Sequence, residues 1–165
     1  MKAWLGFGIS NFYLKLSKDI KNKIEYLPFE EYIFLMADGM QKKYNGNFNR
    51  GIHEQIFKNL ISISFSRTIS SEDLEDYIPL KEIKDKYNKN RDFYLEVNNL
   101  VRNNRLNCNQ KNIERFAGYV VEELAQIIYF HDKGFMKIGY KEKELYFDNL
   151  AQKYFNVPKK AFKYI

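Results

Sequence analysis

Between residues 110 and 130 the chain carries an apolar stripe that one side of a long helix can hold. Ile113, Phe116, Val120, Val121, Leu124, Ile127 and Ile128 recur mostly at three- and four-residue steps, the period of an α-helix with a broad buried face. A helix this apolar belongs at the centre of a core, and the rest of the chain must pack around it. Lys133-Gly134 marks its end. Three prolines and eight glycines in 165 residues supply too little turn chemistry for an all-β protein. The expected class is therefore mainly α: a multi-helix globular domain with at most a short β hairpin.

The flanking segments are read on the same basis. Phe12, Leu14, Leu16, Ile20 and Ile24 suggest a first helix over 10–26. Leu27-Pro28 breaks it, because the residue before proline is pushed out of the α region. Phe29, Tyr32, Ile33, Leu35 and Met36 predict a second helix over 29–43, followed by an Asn- and Gly-rich loop over 44–51. Ile52, Ile56, Phe57 and Leu60 share one helical face. The alternation Ile61-Ser62-Ile63-Ser64-Phe65-Ser66 has a strand period and suggests a hairpin near 61–69, or equally the end of the preceding helix. Ser71-Glu72-Asp73-Leu74 reads as a helix start. Residues 80–107 read as a solvated, basic helical region, and 135–140 as a short extended linker. This divides the chain into a helical body, 1–135, and an appendage, 136–165.

The net charge of +6 and a sequence pI near 9.2 favour anionic partners. Richness in Lys, Asn and Ile is also what AT-rich coding produces. A single cysteine, Cys108, excludes an internal disulfide and a cysteine-based zinc site and fits a reducing compartment. The apolar opening, Met1 to Ile9, is cut short by Ser10 and Asn11, unlike a secretory signal. No stretch approaches the roughly 18 apolar residues of a membrane span. The expected location is the cytoplasm, with no membrane partner.

Residues 143–165 carry the motif that most suggests a function. Leu145, Leu150, Ala151 and Phe155 form the apolar face of one helix, and Val157 sits at a turn. Pro158 suits the first position of a following helix, in which Phe162 and Ile165 would face inward. This segment resembles the helix-turn-helix of transcription regulators, recombinases and some phage or plasmid proteins. Gln152 departs from the small residue usual at its position, and the second helix would have only about two turns. The resemblance implies that Lys153, Lys159, Lys160, Lys163 and Tyr164 meet phosphate and backbone. Lys84, Arg91, Arg102 and Arg105, interleaved with Tyr87 and Tyr94, extend the candidate nucleic-acid surface.

Catalytic constellations are thin. His53 and His131, each followed by an acid (Glu54 and Asp132), would make a metal-independent ribonuclease only if the fold brought them together, with Arg50 or Lys133 on phosphate. Neighbouring helix residues do not face each other, so His53-Glu54 is no local dyad. There is no zinc pattern, no HExxH and no phosphate-cradling glycine loop. The resulting expectation is a non-enzymatic protein that binds nucleic acid, DNA above all, with no catalytic residues, metal or small-molecule cofactor. The alternative is a small phage- or plasmid-type inhibitor or adaptor, binding a protein partner through Tyr13, Tyr26, Tyr32, Tyr44 and Tyr94.

Overall fold

A computed structural model describes residues 1–46, 48–104 and 109–165, with side chains throughout except at 104 and 141–145. It corrects the mainly α expectation. The chain forms a five-stranded, wholly parallel sheet in the order β3-β2-β1-β4-β5. The strands are β1 (Lys2–Phe7), β2 (Glu31–Met36), β3 (Ser66–Ser70), β4 (Phe135–Gly139) and β5 (Phe162–Tyr164). The helices are α1 (Asn11–Ile24), α2 (Asp38–Asn45), α3 (Arg50–Ile61), α4 (Ser71–Leu74), α5 (Leu80–Lys89), α6 (Arg91–Asn104), α7 (Gln110–Asp132) and α8 (Lys141–Phe155).

Strands β1 and β2 lie inside the sheet with both faces covered, so their sequences are continuous apolar runs with no alternation. Tyr32, Phe34 and Met36 point to one face, while Ile33 and Leu35 point to the other. That pattern is indistinguishable by periodicity from a buried helix, and residues 29–43 are in fact β2 followed by α2. The apolar opening is β1. The alternating run at 61–66 is the end of α3 and a turn, and the strand begins at Ser66. Ser70, one residue before the expected cap, is the N-cap of α4, its hydroxyl accepting from Glu72 N at 3.2 Å.

Two hydrophobic layers hold the sheet. On one face α1 and α3 bury Leu16, Ile20, Ile24, Ile56 and Leu60 against Ala3, Leu5, Phe7 and Phe34. On the other, α7 carries Ala117, Val120, Leu124, Ile127 and Phe130 against Trp4 and Leu35, with α5, α6 and α8 outside it. Trp4 stacks on Phe130 with ring centroids 4.5 Å apart.

The C-terminal segment also differs from its expectation. Helix α8 ends at Asn156, which adopts the left-handed conformation (φ 56°) that stops a helix. Beyond Pro158 there is only a 3-10 turn, Lys159–Ala161, before β5 joins the edge of the sheet. No second helix exists to enter a DNA groove. Leu145, assigned to the packing face, has its side chain outside the described residues.

Candidate active site at the carboxyl ends of the strands

In a doubly wound sheet the chain leaves β1 toward one edge and β4 toward the other, and a crevice opens between their carboxyl ends. Here that point lies where β1 runs into Gly8-Ile9-Ser10 and β4 into Tyr140. Ser10 caps α1, its hydroxyl accepting from Tyr13 N at 3.5 Å. Gly8 is required by close approach: a Cβ there would lie 2.8 Å from Tyr13 Cε2. Its hydrogen side chain lets the Tyr13 ring fold over the strand end. The rings of Phe7, Phe12, Tyr13 and Tyr140 then meet edge to face, with centroids 5.0–6.3 Å apart.

Behind this aromatic wall is a cavity of about 20 Å³, lined by Gly6, Gly8, Tyr13, Tyr119, Glu123 and Gln126 among others. That is room for about one water molecule. Tyr119 and Glu123 are one turn apart on α7, so both reach the same side of the helix. Gln126, nearly fully buried, donates to Met40 Sδ at 2.9 Å. On the α1 side a separate open groove of about 470 Å³ runs past Phe12, Lys15, Leu16, Asp19, Lys23, Tyr140 and Ile165.

Charge is concentrated behind Glu123. Lys137, on β4, is 2 % exposed, and its ammonium lies 2.6 Å from Asp148 Oδ1 and 4.0 Å from Glu123 Oε1. Asp148, on α8, is fully buried, and its Oδ2 accepts from the Tyr164 hydroxyl at 2.7 Å. Burial pushes the Glu123 carboxyl above its ordinary range; Lys137 draws it down and Asp148 pushes it further up. A carboxyl so placed can carry a proton, and it shares the cavity lining with Tyr13, Tyr119 and Gln126.

The residues expected to bind nucleic acid lie elsewhere. Lys153 is exposed on α8 but paired with Glu96 at 2.7 Å. Lys159 and Lys160 are exposed on the 3-10 turn, and Lys163 is half-buried on the edge strand. Tyr164 turns its hydroxyl inward to Asp148. Lys84, Arg91 and Arg102 are exposed on α5 and α6, and Arg105 and Cys108 lie outside the described residues. His53 faces Asp38, Nε2 to Oδ2 3.4 Å, at the carboxyl edge of the sheet. His131 is at the far end of α7, so the two histidines do not meet. Of the five tyrosines offered as a protein-binding surface, only Tyr26 is exposed; Tyr32 is buried, its hydroxyl donating to Ile24 O.

Sequence reading passed over Tyr119, Glu123, Lys137 and Asp148. Their signal was present: a glutamate pair inside the most apolar stripe of the chain, and a lone lysine in Phe135-Met136-Lys137-Ile138-Gly139. Charges at core positions are retained only when partnered.

No protein-family model matches the chain, and no curated protein matches it. Solved structures do. A cyclodipeptide synthase from Staphylococcus haemolyticus superposes with a TM-score of 0.67 at 14 % identity, over 99 % of this chain and 88 % of that one. One from Streptomyces noursei gives 0.66 at 13 % identity, over 99 % and 93 %. One from Candidatus Glomeribacter gigasporarum, solved bound to Phe-tRNAPhe, gives 0.56 at 15 % identity, over 99 % and 87 %. These likenesses and the missing second helix overturn the reading of a non-enzymatic DNA-binding protein or adaptor, since the chain has the fold of cyclodipeptide synthases.

Proposed function

We propose that the chain is an acyl-transfer enzyme that takes aminoacyl groups from tRNA and joins two of them into a cyclic dipeptide. The observation that carries this reading is the Tyr119–Glu123 face of α7, set in the switch-point crevice of a fold shared with cyclodipeptide synthases. The chemistry is proton management around an ester. The amine of one aminoacyl group attacks the ester carbonyl carbon of another, the bond to the ribose oxygen breaks, and the proton lost by the amine ends on that oxygen. A carboxylate at Glu123 takes that proton from the amine and returns it to the leaving oxygen. Tyrosine hydroxyls donate to the carbonyl oxygen as its charge develops. A second transfer within the dipeptidyl ester closes the ring.

The cavity, with room for about one water, receives the carbonyl oxygen under attack, and the open groove past Tyr140 receives the amino-acid side chain. The tRNA lies along α1. Lys15, Lys18, Lys21 and Lys23 are exposed there. Among the described residues none of the four forms an ion pair. Lys15 and Lys23 border the groove beside the site, and Lys18 and Lys21 a second, polar groove between α1 and α3 with Asn59 and Ser62. Among the described residues no helix is long and apolar enough to cross a membrane, and a charged-tRNA substrate places the enzyme in the cytoplasm.

The test is incubation with tRNA charged with isotope-labelled amino acids, followed by mass spectrometry for cyclic dipeptides. Product that disappears in a folded Glu123→Gln variant supports the reading. Absence of any cyclic dipeptide from a fully charged tRNA pool refutes it.

A further inference from the structure

We propose that Lys137 is a positioning residue for this site: its ammonium, anchored by Asp148, holds the Glu123 carboxyl toward the cavity. A lysine 2 % exposed on a central strand is costly unless it is partnered. Among the described residues its nearest ion-pair partner is Asp148 at 2.6 Å, and Glu123 is at 4.0 Å, outside direct hydrogen-bonding range. That arrangement leaves Glu123 within the cation's field without tying its proton-carrying oxygens into the pair. The anchor is itself anchored, because Asp148 Oδ2 accepts from Tyr164 on β5. The line Glu123, Lys137, Asp148, Tyr164 thus joins α7, β4, α8 and β5 behind the cavity.

Among the described residues, four elements supply titratable groups around Glu123. Its own helix supplies Tyr119, α1 supplies Tyr13, β4 supplies Lys137 and α8 supplies Asp148. The adjacent Glu122 points away, accepting from Lys43 at 3.0 Å. Lys137 is the cation in this set, and its attraction outweighs the repulsion from Asp148. Without it, burial and Asp148 act unopposed and Glu123 keeps its proton to higher pH. As general base it is then filled when it should be empty.

This consequence for catalysis rests on the acyl-transfer reading, but the arrangement itself can be tested without it. Protein labelled with carboxyl-13C glutamate is titrated by NMR, with the Glu123 signal assigned by its loss in Glu123→Gln. The titration of Glu123 is expected to move to higher pH in Lys137→Met and to lower pH in Asp148→Asn, where a repelling carboxylate is gone. A packing role predicts no such opposition. If Lys137→Met does not fold, the double variant Lys137→Met/Asp148→Asn removes the pair as a neutral unit, which buried pairs often tolerate. Its Glu123 titration should also move upward. A Glu123 titration that is unmoved, or that moves the same way in both single variants, overturns the proposal.

In turnover with charged tRNA, Lys137→Met should lose on the order of tenfold in kcat at neutral pH with KM unchanged, recovering as pH rises. Lys137→Arg should retain part of the rate. If the wild-type protein makes no cyclic dipeptide, the acyl-transfer reading fails while the NMR titration still decides the role of Lys137.

Discussion

Replacing Gly118 by alanine tests whether the wall of the site is packed as described. Gly118 lies inside α7, exposed to the ring of Tyr44 on α2. A Cβ there would lie 2.5 Å from Tyr44 Cε1, with Cδ1 and Cζ at 3.1 and 3.2 Å. Helix propensity alone says that Gly→Ala at a helix interior stabilises by about 0.5–1 kcal/mol. The contact says the opposite. Carbon atoms settle at about 3.5–4.0 Å, so the ring must retreat by roughly 1 Å. Overpacking of this kind costs about 1–3 kcal/mol. The ring has little room to retreat, because its edge meets Tyr119 at 6.3 Å between centroids and the Lys43 ammonium lies 5.2 Å from its centroid. The net expectation is a loss of about 1 kcal/mol, or roughly 2–4 °C in Tm for a chain of this size, with reduced turnover because Tyr119 shifts. Calorimetry on Gly118→Ala, Tyr44→Ala and the double variant measures both cost and coupling. Relief of the Gly118→Ala penalty in the Tyr44→Ala background is required; an unchanged or raised Tm in Gly118→Ala alone refutes the reasoning.

Three further outcomes are expected. Because Glu123 holds its proton above the ordinary 4.5, the folded chain binds more protons than the unfolded one from about that pH upward, so this group makes stability fall as pH rises through the window. Glu123→Gln should flatten that decline in a Tm series, and an identical slope in both proteins counts against a Glu123 titration raised by folding. The double substitution Lys18→Glu/Lys21→Glu should weaken binding of charged tRNA and reduce the salt slope by about one per lysine lost, with Tm unchanged; a tRNA titration insensitive to it removes α1 from the interface. Tyr87→Phe deletes the hydroxyl that donates to Asn98 Oδ1 at 2.7 Å. Since Asn98 is buried, chemical denaturation should show a loss of about 1–3 kcal/mol, and a loss below about 0.5 kcal/mol would place water on that amide.

The helices with one wet face were legible: α7 from its stripe, and α1 from Leu16, Ile20 and Ile24. The extended character of 135–140 was legible too. The strands that define the fold were not. Glu31–Met36 is buried on both sides, so its residues carry no two-residue alternation, and their apolar spacing fits a helix equally well. At the C-terminus the lysines and Pro158 satisfied a helix pattern, yet Asn156 takes the left-handed turn and Phe162–Tyr164 finds a strand edge to pair with. That choice is made by the sheet, through contacts distant in sequence. The site was hidden for the same reason. Glu123 and Lys137 are separated by a helix end and a turn, and only the packing of α7 on β4 brings their charges within 4.0 Å.

Strand β1 lies at the centre of the sheet, with Lys2 opposite Glu31 on one side and Phe135 on the other. On the ribosome these two edges are completed at different times. The β2 edge closes as soon as the first crossover has emerged. The β4 edge must wait for about a hundred further residues, on the order of ten seconds at about 5–20 residues per second. During that interval a twice-apolar strand bearing Trp4 stands open along one side, a template for pairing with any extended chain nearby. The nascent protein is therefore most exposed to misassembly just before β4 emerges, and a chaperone that shields β1 for that interval would raise the yield of folded protein more than one acting on the finished chain.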